Sequence, residues 1–90
     1  MDAELAAVHA RTVEMWEEMI DEMRAGVAII CSFRGSVKKR RKAARDMADA
    51  AGEAGVSLAL HRFAFASEDP KKPQWLAELA EIEAACRVFL

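Results

Sequence analysis

Val27 to Phe33 reads VAIICSF, a run with no charged residue and with three β-branched side chains, Val27, Ile29 and Ile30. An amphipathic helix would place a polar side chain on its wet side early in such a run, so the run reads as a short strand over 27–33, buried on both faces. Read instead as the buried continuation of the helix before it, the same run leads to a different architecture.

On its N-terminal side, Leu5, Val8, Thr12, Val13, Met15, Trp16, Met19, Ile20 and Met23 recur at three- and four-residue steps, with Glu14, Glu17, Glu18, Asp21 and Glu22 opposite them. That is an amphipathic helix over about 3–25 with an acidic wet face. Gly26 offers the backbone freedom of a helix end, and Arg24 suits the carbonyl end of the dipole. On the C-terminal side, Ser36 is a suitable N-cap after Gly35. Val37, Ala44, Met47, Ala48 and Ala51 then share one arc of a helix over about 37–51, with Gly52 and Gly55 as its stop.

The stretch VSLALHRFAFA alternates Val56, Leu58 and Leu60 and then changes phase to Phe63 and Phe65, which predicts a second strand over 56–66 with a bulge near His61 or Arg62. Pro70 and Pro73 bracket a loop over 67–72. Trp75, Leu79, Ile82, Cys86 and Phe89 line one face of a third helix over about 73–89. The expected architecture is therefore one α+β or α/β domain over 1–90, helix-strand-helix-strand-helix. Its small two-stranded sheet would be extended in a dimer or covered by helices, because an isolated pair of strands is marginal in water. The alternative, with both strands helical, is an all-α bundle rich in alanine.

Ninety residues make one domain with a small margin of stability, and 19 of them are Ala, which favours helix but fills little core volume. Cys31 and Cys86 lie far apart and no signal-peptide pattern opens the chain, which predicts free thiols in a reducing, cytoplasmic setting. The apolar run is far shorter than the ~20 residues that cross a bilayer, so no membrane span is expected.

The net charge is −2, yet Arg34, Lys38, Lys39, Arg40, Arg41, Lys42 and Arg45 crowd the start of the second helix. On a helical wheel Lys38, Arg41, Lys42 and Arg45 share a face, Lys39 flanks it, and Arg40 turns toward the apolar side. Cations at the positive end of a helix dipole ask for an anion. The chain's own carboxylates, a phosphate backbone and an acidic protein are the three candidates. Sequence-specific base reading is unsupported, since the chain has no Asn, a single Gln and no aromatic residues interleaved with the cations. KKRRK also resembles a nuclear-localisation run, a weak match inside an expected helix.

No GxxxxGK, HExxH, CxxC or GxSxG pattern occurs, and CSFRGS lacks the arginine spacing of a cysteine-phosphatase loop. His9, His61, Cys31 and Cys86 have no local ligand spacing, so no metal and no cofactor is expected. Glu17 with Asp21 and Glu18 with Glu22 read as a solvated surface and not as an acid-base pair. Met15, Trp16, Met19 and Met23 either pack on the third helix or form a self-association surface. The expected function is a non-enzymatic interaction module, an adaptor or inhibitor of the kind mobile elements encode, acting on a larger protein or nucleoprotein machine through its charged helix faces. The alternative is a nucleic-acid-binding or regulatory domain that contacts phosphates with its basic helix. A protein partner is expected, with nucleic acid and a homodimer as further candidates.

Overall fold

A computed structural model describes residues 3–60 and 70–90. They form three helices, α1 (Ala3–Ser32), α2 (Val37–Leu60) and α3 (Lys72–Arg87), and no strand occurs among the described residues. The expected mixed fold is thus overturned, and the all-α alternative holds. The 27–33 run is helical through Ser32, while residues 56–60 of the second expected strand belong to α2. The rest of that strand with its bulge, and positions 67–69 of the expected loop, lie outside the described residues.

The physical reason is visible in which side chains are covered. Trp16, Ile20 and Ile30 are buried on α1, and Val13, Met23 and Val27 pack against the core beside them. From Val13 to Ile30 these positions step by three and four without a break, the spacing of one continuous helical seam. The expected two-sided burial of 27–33 does not occur. Ile30 is 6% exposed while its neighbour Ile29 is 65% exposed, and Ala28 and Cys31 also face out.

Nor do the glycines end helices. Gly26 lies inside α1, where an added Cβ would stand 2.6 Å from the Met47 side chain of α2, so its missing side chain makes room between the two helices. The Ser32 hydroxyl donates to the Ala28 carbonyl at 2.9 Å in the last turn of α1. α2 begins as the spacing around Ser36 predicts: Ser36 Oγ accepts the Lys39 backbone N–H at 3.1 Å.

Ala44, Ala48, Ala51 and Leu58 form the buried side of α2, and Trp75, Leu79, Ile82 and Cys86 that of α3. One core cluster joins Trp16 and Ile20 to Ala51, Leu58, Trp75 and Leu79, and a second joins Ile30 to Ala44, Ala48 and Cys86. This order makes α3 parallel to α1 and antiparallel to α2. The small side chains of α2 let α3 approach closely, and α3 packs more extensively on α2 than α1 does. Trp16 and Trp75 stack with centroids 6.4 Å apart and planes 16° from parallel. With α1 about 45 Å long at 1.5 Å per residue, the molecule is a rod of 52 × 19 × 15 Å.

Candidate functional site

The connection between α1 and α2 is short and tight. A Cβ on Gly35 would run into the Phe33 ring, so this position takes only glycine without displacing the ring. Arg34 is exposed in this turn, and Lys38, Lys39, Arg41, Lys42 and Arg45 are exposed on the first turns of α2. With Ser36, the five α2 cations line one shallow basic hollow. The first turn of α2 carries no acid to offset the dipole.

Arg40 leaves this cluster. Its guanidinium sits 5.2 Å from the centroid of the Phe89 ring, a cation–π contact that ties the start of α2 to the end of α3. Lys42 Nζ pairs with Asp46 Oδ2 at 2.8 Å along the helix, fully in solvent reach. Arg34, Lys38, Lys39, Arg41 and Arg45 form no ion pair with a described acid.

Several carboxylates are instead engaged elsewhere. Glu78 Oε1 lies 2.6 Å from Arg24 Nη2, and Glu17 Oε1 lies 2.8 Å from Lys71 Nζ, two pairs that clamp α3 to α1. Glu83 pairs with Arg87 at 2.9 Å within α3, and Asp21 stands 4.0 Å from Arg24. The acidic face expected on the first helix is thereby divided. Glu17 and Asp21 border a polar cleft between α1 and α3, floored by Ile20 and Trp75, while Glu14, Glu18 and Glu22 stay exposed. Glu17 and Glu78 have cations at bonding distance and serve as structural ion pairs, whereas Asp21 is as exposed as Glu14, Glu18 and Glu22.

The Met15, Trp16, Met19 and Met23 set is also divided. Trp16 is in the core, Met19 and Met23 pack against it, and Met15 is 58% exposed. Cys31 is exposed and Cys86 buried, both as free thiols. Burial, and then the neighbouring Cys31 thiol, push Cys86 above the ordinary thiol range, which keeps it protonated and unreactive at neutral pH. Among the described residues no three His, Cys, Asp or Glu side chains come together as metal ligands. His61 lies outside them. No helix among these residues is long and apolar enough to cross a membrane.

The sequence reading missed the acidic half of α2: Asp49 falls inside the expected helix without being singled out, and Glu53 falls beyond the expected stop at Gly52. The signal was present in the continued four-residue spacing of charged positions across Gly52. Comparison with protein-family models, curated proteins and solved structures finds no match to this chain.

Proposed function

We propose that this chain is a non-catalytic docking module, an adaptor or inhibitor that occupies an anionic surface of a larger protein or nucleoprotein machine with the basic start of α2. One observation carries the reading: Arg34, Lys38, Lys39, Arg41 and Arg45 are exposed and meet no described acid, although the chain has more acids than bases. Such a cluster at the positive end of a helix gains from an external anion. Its cellular setting in this reading is cytoplasmic, where the exposed Cys31 stays reduced.

The test is a titration of the purified protein against an acidic peptide, a labelled duplex and a labelled single strand at several salt concentrations. A variant with Lys38, Arg41, Lys42 and Arg45 reversed in charge runs alongside. Binding to the acidic peptide that the folded variant loses supports the proposal. Binding to unrelated duplexes with a log-log salt slope near −3.6, expected for about four phosphates, replaces it with the nucleic-acid alternative. A folded wild type that binds none of the three at low salt overturns it.

A further inference from the structure

The exposed side of α2 carries an ordered change of sign. At four-residue steps it reads Arg41, Arg45, Asp49, Glu53, all four exposed and none paired with a described residue. Residues four apart form one ridge on a helix surface. Beside the acidic end of this ridge a groove between α2 and α3 is floored by Ala48, Gly52 and Val56. Val56 is 60% exposed there. The same side of one helix therefore presents a basic hollow in its first half and, in its second, a hollow bordered by Asp49 and Glu53 on α2 and by the Glu83–Arg87 pair on α3.

Turned end for end about an axis level with Met47, the ridge meets its own complement. Position 41 then faces 53 and position 45 faces 49. A patch that matches itself under a two-fold rotation is what an isologous dimer interface requires. We propose that the protein self-associates as an antiparallel two-fold pair through this face of α2, with Arg41 and Arg45 of one copy against Glu53 and Asp49 of the other. A uniformly acidic partner would match the first half of the ridge and repel the second, whereas a second copy matches both.

From Lys38 to Val56 the strip is about 27 Å long and about 10 Å wide, roughly a third of the ~800 Å² per partner of a standard stable interface. The dimer is accordingly weak and salt-sensitive. It covers Arg41 and Arg45, so a second copy and an anionic partner compete for them. The inference goes beyond the docking function and does not require it.

Sedimentation analysis in reducing buffer tests the pair, since the exposed Cys31 thiol would otherwise cross-link copies by oxidation. One variant carries Arg41→Glu with Arg45→Asp, the other Asp49→Arg with Glu53→Arg. Wild type is expected to associate at low salt and dissociate at high salt, each variant alone to associate at least tenfold more weakly, and an equimolar mixture of the two to recover association. A wild type that stays monomeric up to about 1 mM at low salt, association that both variants retain, or a mixture no tighter than its components overturns the proposal. Circular dichroism checks the fold, and the single substitutions Arg45→Asp and Asp49→Arg repeat the exchange should a double variant unfold. The Asp49→Arg, Glu53→Arg variant keeps every cation of the docking surface, so it separates loss of self-association from loss of anion binding.

Discussion

Ile29 and Ile30 are adjacent in the chain and opposite in environment, 65% and 6% exposed. Ile29→Glu is expected to change stability by no more than about 0.5 kcal/mol, the usual range for surface positions. Ile30→Glu places an unpaired carboxylate between Ala44, Ala48 and Cys86 and is expected to cost more than about 3 kcal/mol, a large share of a small domain's margin. Thermal melts of the two variants measure this, and equal losses would revive the two-sided strand. The two cysteines differ in the same way. Cys31 should react with an alkylating reagent in the native protein, whereas Cys86 should react only as fast as the bundle opens. Because Cys86 is held above its unfolded value, the folded state keeps this proton to higher pH than the unfolded state does. Stability is therefore unaffected by this group below the unfolded thiol pKa of about 8.5 and falls as pH rises above it. Melting temperatures across this range should fall less steeply for Cys86→Ala, and parallel curves would show that the group contributes nothing.

α1 and α3 end within two residues of their last buried positions, Ile30 and Cys86, and the glycines inside α1 and α2 do not interrupt them. Gly55 is the clearest case. It sits inside α2, no heavy atom lies within 4 Å of where its Cβ would be, and its backbone is not left-handed. Gly55→Ala is expected to stabilise the protein by about 0.5–1 kcal/mol through helix propensity and a less flexible unfolded chain. A destabilised variant in chemical denaturation would instead place Gly55 at a helix terminus. At this scale the sequence was legible where the determinant is local. The Ser36 cap, the α1 stripe through Val13, Trp16, Met19, Ile20 and Met23 and that of α3 could be read from spacing, whereas Leu5, Val8 and Met15 of the expected α1 stripe are exposed. It was not legible across Val27 to Phe33 or past Gly52. There, β-branched and glycine residues shift local preference by only about 1 kcal/mol or less each, and packing against other helices outweighs them.

At the scale of the whole molecule, length and charge order matter most. A compact globule of this chain length has a radius of gyration of about 12 Å, whereas the Cα radius here is 15.1 Å. Small-angle scattering of dilute protein at high salt should return the larger value, and a value near that of the globule would exclude the rod. The cations from Arg34 to Arg45 cluster where α1 gives way to α2, and the Arg24–Glu78 and Glu17–Lys71 pairs join α1 to the N-terminal half of α3. By itself the sequence determined the basic cluster, the helix cap, the two free thiols and the apolar seams of α1 and α3, because charge, capping and periodicity are properties of neighbours in the chain. Tertiary structure alone decided that 27–32 and 56–60 are helical, that Ile30 is covered and Ile29 is not, and which carboxylates meet cations. Those outcomes depend on where α3 lies against the other two helices, and burial against a distant segment outweighs the small local preferences that had pointed to strands.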